Sequence, residues 1–193
     1  HQRAINALYH KEMLDGDLQR YRAIKLKVGR DGMQHDLYKI QDILYKNPNI
    51  QIRLDSNCLW SYRDTLLFWD MLHQKSLAKY IEYIEDPIKE YTHLSLLSGI
   101  PCALDTVFSI SHQETLLPYQ PVAIILKPTL QGGWFEVQKC QKNIQAKHPN
   151  IKIIISSTFE SSIGIAALMK LSDPKEIHGL GTLQYFCPPK HDL

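Results

Sequence analysis

Eight short apolar runs rich in Ile, Val and Leu recur along the chain at intervals of roughly 20 to 30 residues, each followed by polar residues and a helix-length segment. They fall at 4–8, 23–28, 51–55, 80–84, 101–104, 122–126, 152–155 and, more weakly, 180–183. The segments between them, at 11–20, 33–46, 61–78, 92–98, 111–117, 133–147 and 161–171, read as helices. Strands this apolar are buried on both faces, and strands that alternate with helices pair in parallel beneath them. Eight such units favour closure into a barrel over an open doubly wound sheet. No GxGxxG or GxxxxGKS/T fingerprint follows any run, which argues against dinucleotide and P-loop sites. The expected fold class is α/β, a (β/α)8-type TIM barrel. The first run starts almost at residue 1, and CPPKHDL after the eighth is too short and proline-rich for a closing helix. Such barrels ordinarily take about 250 residues, so 1–193 reads as a single barrel domain and as a fragment.

With 193 residues, 44% of them hydrophobic, the chain can bury a single-domain core. Its 22 basic and 20 acidic residues nearly cancel, so neither a nucleic acid nor a basic partner is called for. The apolar runs are strand-sized and the N-terminus lacks a signal-peptide layout, so no membrane is expected and the chain is placed in the cytoplasm. The four cysteines, Cys58, Cys102, Cys140 and Cys187, form no CxxC pair, which speaks against a disulfide frame or zinc site.

In an eight-stranded barrel the functional side chains gather at the C-terminal strand ends, and here those ends carry charge in a consistent pattern. The second run, IKLKVG, alternates so that Lys25 and Lys27 share one face while Ile24, Leu26 and Val28 share the other. The third ends in Asp55 with Asn57 just beyond (RLDSN), the fourth in Glu85 (YIEDP), the fifth in Asp105 (CALDT) and the sixth in Lys127 (IILKPT). Singly, each acid is explained as an N-cap or turn residue. Jointly, acids at three consecutive strand ends with lysines on the flanking strands point to a site. Glu82 and Asp86 read as solvent-facing or cap residues, and none of the nine histidines is assigned a catalytic role.

Three carboxylates facing one point repel one another and raise each other's pKa unless a divalent cation joins them. Hard oxygen donors with no Cys or His select Mg²⁺ over zinc. Such an ion binds a substrate carboxylate and neutralises the charge that develops when the neighbouring carbon loses a proton, giving an enediolate. Lys27, nearest the mouth, is the natural base. Lys25, one pleat deeper, would hold it in place and depress its pKa by like-charge repulsion. Lys127 approaches from the far side and meets the opposite face of the substrate, a small-molecule carboxylate.

The set KLK, RLDSN, IEDP, ALD, ILKPTLQGG and SSTFESSIG resembles the enolase superfamily, muconate-lactonizing subgroup, over nearly the whole chain. The resemblance is strongest to members that form o-succinylbenzoate. It implies a modified barrel whose N-terminal α+β capping domain is absent from this chain, with Asp55, Glu85 and Asp105 as Mg²⁺ ligands, Mn²⁺ being a substitute. It makes Lys27 the acid/base, Lys25 its neighbour, and Lys127 the cation that steadies the enediolate. The implied reaction is syn elimination of water from 2-succinyl-6-hydroxy-2,4-cyclohexadiene-1-carboxylate in menaquinone biosynthesis, in which one base serves both proton transfers. Ser156, Ser157 and Thr158, with the amides entering the helix near Ser161, suit the succinyl carboxylate, and turn and N-cap roles explain them equally. Gly132 and Gly133 either let backbone approach the ligand or simply form a turn. Asn57 is a further candidate for substrate binding.

Two rivals stay open. Lys27 and Lys127 on opposite faces would also racemise an N-succinylamino acid. A dipeptide epimerase is disfavoured, because the stretch 178–187 holds no acid to meet a free ammonium. The other rival is a catalytically inactive truncated barrel, since water entering an uncovered site weakens every electrostatic interaction the reaction relies on.

Overall fold

The structure is a computed structural model, and it describes residues 5–9, 18–106 and 108–182. Seven strands form one parallel sheet in sequence order: β1 (Ala7–Leu8), β2 (Ala23–Lys27), β3 (Gln51–Asp55), β4 (Ile81–Glu85), β5 (Cys102–Leu104), β6 (Ala123–Leu126) and β7 (Lys152–Ile155). The two sheet edges meet through one short segment. Gly179 bridges Ser156 beyond β7, and His178 bridges Ile5 before β1. His178 is fully buried at this seam, where its Nδ1 accepts the Ile155 N–H at 3.0 Å and its Nε2 lies 2.8 Å from the Asp173 carbonyl. An Nδ1 that accepts leaves the proton on Nε2, so the imidazole is neutral and donates to Asp173. The strand expected at 180–183 is therefore represented by pairing at 178 and 179, with Leu180 buried behind it and residue 183 outside the described residues.

Strand alternation sorts the side chains into two layers. Ile24, Leu26, Ile52, Leu54, Ile84, Ile124 and Leu126 belong to the large outer core with the apolar stripes of the helices. Those helices are α1 (Met33–Lys46), α2 (Tyr62–Gln74), α3 (Gln113–Leu116), α4 (Trp134–Lys147) and α5 (Ser162–Leu171). A separate inner cluster, Tyr83, Ala103, Ala123, Ile125 and Ile154, fills the space the strands enclose. Ser61 starts α2 with a capping box, its hydroxyl accepting the Asp64 N–H while the Asp64 carboxylate accepts the Ser61 N–H.

Several expected elements are shorter than the sequence suggests. The helix read at 61–78 ends at Gln74, where Ser76 turns into the left-handed region at φ 57°. The segment read at 92–98 is a 3-10 helix (Tyr91–Leu97), and that at 111–117 is broken into two 3-10 turns around the four-residue α3. Of the helix read at 11–20, residues 11–17 lie outside the described residues, and Leu18 is fully buried.

The reading of Glu82 and Asp86 as solvent-facing or cap residues is corrected by a bulge and by burial. Ile52 pairs with Ile81 but Arg53 pairs with Tyr83, so one extra residue in β4 resets the alternation. Glu82 consequently accepts from Arg53 Nε at 2.7 Å and from Lys152 Nζ at 2.8 Å, and Arg53 is 1% exposed. Asp86 is buried and accepts the backbone N–H groups of Asp105 at 2.8 Å and Thr106 at 2.7 Å.

Candidate active site

The carboxyl ends of the strands surround a cavity of about 270 Å³ whose lining includes Lys25, Lys27, Asp55, Asp105 and Lys127. Register explains the gathering: Lys27 pairs with Asp55, and Asp55 pairs with Glu85, so three neighbouring strands end at one level. Glu85 lies just behind the wall, joined to it by Lys25, whose Nζ is 2.6 Å from Glu85 Oε1 and 2.8 Å from Asp55 Oδ2. Lys127 makes a short ion pair with Asp105. Asp86 holds the start of the loop after β5 and thereby the backbone of Asp105.

The electrostatics follow from burial. Desolvation raises the Glu85 carboxyl well above the usual carboxylate range, Lys25 opposes the rise, and Asp55 and Asp105 add to it. Lys25 shows the opposite balance. Burial favours the neutral amine, but Glu85 and Asp55 outweigh burial and hold the ammonium well above the ordinary lysine range. Lys25 is thus a fixed cation between two carboxylates.

The donor set is of the kind a hard divalent ion takes, since Asp55, Glu85 and Asp105 are buried carboxyl oxygen donors. Among the described residues no three His, Cys, Asp or Glu side chains stand together as a metal-binding group. The ammonium groups of Lys25 and Lys127 instead supply the countercharge, so a metal would compete with them for the same oxygens.

Of the remaining candidates, Asn57, Ser156 and Ser157 line the cavity. Asn57, at φ 49°, turns its own N–H and side-chain amide back onto Asp55 Oδ1 and so orients that carboxylate. Thr158 and Gly132 do not line it. The Thr158 N–H and hydroxyl are both taken by Glu160, and Gly132, at φ 85°, turns the chain beside Glu136. The sequence reasoning missed Asn6, Leu8, Thr106, Phe159 and Thr182 in the lining. Asn6 and Leu8 alternate along the first strand, a period-2 signal that was available; Phe159 and Thr182 sit in loops, where no periodicity marks them.

The ring of parallel strands with its polar mouth has the fold of solved enolase-superfamily barrels of the muconate-lactonizing kind. Curated relatives by sequence include o-succinylbenzoate synthases. That of Pasteurella multocida is 30% identical over 182 residues, covering 86% of this chain and 51% of the relative. That of Yersinia enterocolitica is 30% identical over 199 residues, covering 93% and 60%. The chain thus spans roughly half the length of the curated relatives it matches. Among solved structures, the o-succinylbenzoate synthase of Thermosynechococcus elongatus BP-1, complexed with Mg in its active site, matches with a TM-score of 0.76 at 22% identity, over 94% of this chain and 60% of that one. At that identity the likeness speaks for the fold. No family model matches the chain. No helix among the described residues is long and apolar enough to cross a membrane.

Proposed function

We propose that this barrel carries the active site of a Mg²⁺-dependent hydro-lyase that converts 2-succinyl-6-hydroxy-2,4-cyclohexadiene-1-carboxylate to o-succinylbenzoate. The observation that carries the reading is the convergence of Lys25, Lys27, Asp55, Asp105 and Lys127 on one cavity, with Glu85 tied to it through Lys25. When bound by Asp55, Glu85 and Asp105, Mg²⁺ would offset the substrate carboxylate's charge and so acidify the adjacent carbon–hydrogen bond. Lys27, as the free amine, takes the proton from C1. The electron pair left there moves to form the ring double bond as the C6 hydroxyl departs. The Lys27 ammonium protonates that hydroxyl, so water leaves and the amine is regenerated. Lys127 stays charged and steadies the anion from the other side of the cavity. Naming homologues as o-succinylbenzoate synthases supports the choice of substrate.

Racemisation of N-succinylamino acids is the second reading, favoured by the presence of both Lys27 and Lys127 in the cavity wall. The test follows loss of the cyclohexadiene's ultraviolet absorbance on adding the intact protein, with Mg²⁺ and after chelation, beside an assay for racemised N-succinylamino acid. Metal-dependent consumption of the diene supports the hydro-lyase. Racemisation without diene consumption replaces it.

A further inference from the structure

Glu160 joins two loops at the barrel mouth. Its Oε1 accepts from the hydroxyl of Thr129, in the loop after β6, and from that of Thr158, in the loop after β7, each at 2.7 Å. Its Oε2 accepts the Thr158 backbone N–H at 2.6 Å. One loop leads from Lys127, and the other carries Ser156, Ser157 and Phe159, all four in the cavity wall. Two further features show that the arrangement is built. A side chain at Gly164 would place its Cβ 2.7 Å from Glu160 Cβ, so the first turn of α5 is cut back to admit the glutamate. Phe159, between Thr158 and Glu160, is held at φ 66°, a conformation a phenylalanine adopts only when its surroundings impose it.

We propose that Glu160 is a positioning residue. It fixes the loop after β7 against the loop after β6, so that Ser156 and Ser157 face the second polar group of the substrate, the succinyl arm in the proposed reaction. The identity of the arm rests on that reading; the clamp rests on the three hydrogen bonds alone. Glutamine can replace the carboxylate here. Its carbonyl accepts the Thr158 N–H, and its amide donates to the two hydroxyls, which accept as readily as they donate. Alanine keeps none of these bonds.

The test compares Glu160→Ala, Glu160→Gln and Thr129→Val in the intact protein. Amide hydrogen exchange at residues 158 and 159 is expected to rise about tenfold in Glu160→Ala and to stay near wild type in Glu160→Gln. With the diene substrate, KM rises about tenfold in Glu160→Ala while kcat changes less than about threefold, Thr129→Val falls between, and glutamine rescues. Benzoate, which lacks the arm, binds wild type and Glu160→Ala alike. Unchanged exchange, equal loss of benzoate and o-succinylbenzoate binding, or failure of glutamine to rescue overturns the assignment. Failure of the synthase reading looks different: wild type then leaves the diene untouched, while the exchange comparison still decides the clamp.

Discussion

Replacing Glu82 with alanine tests the bulge in β4, because the two possible placements of this side chain differ severalfold in cost. Arg53 is 1% exposed, its Nη1 donates to the Ile177 carbonyl at 2.7 Å, and its Nη2 has no hydrogen-bond partner among the described residues. Among the described residues, the bond from Nε to Glu82 is the only carboxylate contact of this guanidinium. Removing it leaves a buried charge uncompensated, a change that costs about 3–5 kcal/mol where measured. Lys152 adds little, since its side chain is 41% exposed and rehydrates. With a urea m-value of about 2 kcal/mol/M, the expected drop in the denaturation midpoint is about 2 M. A solvent-facing glutamate would cost within about 0.5 kcal/mol, a shift too small to separate from error. Urea melts of wild type and Glu82→Ala decide between the two. A midpoint lowered by less than about 0.3 M would refute the inward placement and with it the role of Glu82 as counterion to Arg53.

Other expectations follow from the same contacts. Burial pushes the Glu82 carboxyl up, but its bonds to Arg53 and Lys152 outweigh burial and hold it below its ordinary value of 4.5. Its contribution is therefore complete above that pH and is lost as pH falls through the lowered folded-state value, so the stability gap between wild type and Glu82→Gln should narrow in acid melts below about pH 4.5. Substituting His178 by leucine leaves the Ile155 N–H at the seam without its acceptor; thermal melts should show a loss of about 1–3 kcal/mol, with amide exchange rising at 155. Asp86→Ala frees the two N–H groups that fix Asp105, and kcat/KM should fall at least about tenfold, because a carboxylate shifted by 1 Å cannot serve the site.

Much of this was legible in advance, for identifiable reasons. The bounds of Gln51–Asp55 and Lys152–Ile155 could be read directly, because each is a short strand-sized run carrying buried Ile or Leu and closed by a polar turn. Met33–Lys46 followed from its 3.6-residue apolar stripe, Leu37, Ile40 and Ile43. The lysines and acids around the cavity were legible because strand period and strand ends fix both face and height. Other features depend on contacts between segments distant in sequence. Glu82 faces inward because a single inserted residue shifts the alternation, and no local pattern announces it. The segments 92–98 and 111–117 lack enough apolar periodicity for full helices and settle into 3-10 turns around Leu94, Leu116 and Leu117. That Thr158 serves Glu160 instead of the cavity depends on where Glu160 folds, which spacing does not fix.

The most direct test of the central claim compares Lys27→Ala with wild type in the intact protein, measuring turnover of the cyclohexadiene and binding of o-succinylbenzoate side by side. If Lys27 performs both proton transfers, kcat falls by at least about a thousandfold while the product still binds within about threefold of wild type. Turnover retained within about tenfold would contradict the assignment of Lys27 as the base and the mechanism built on it.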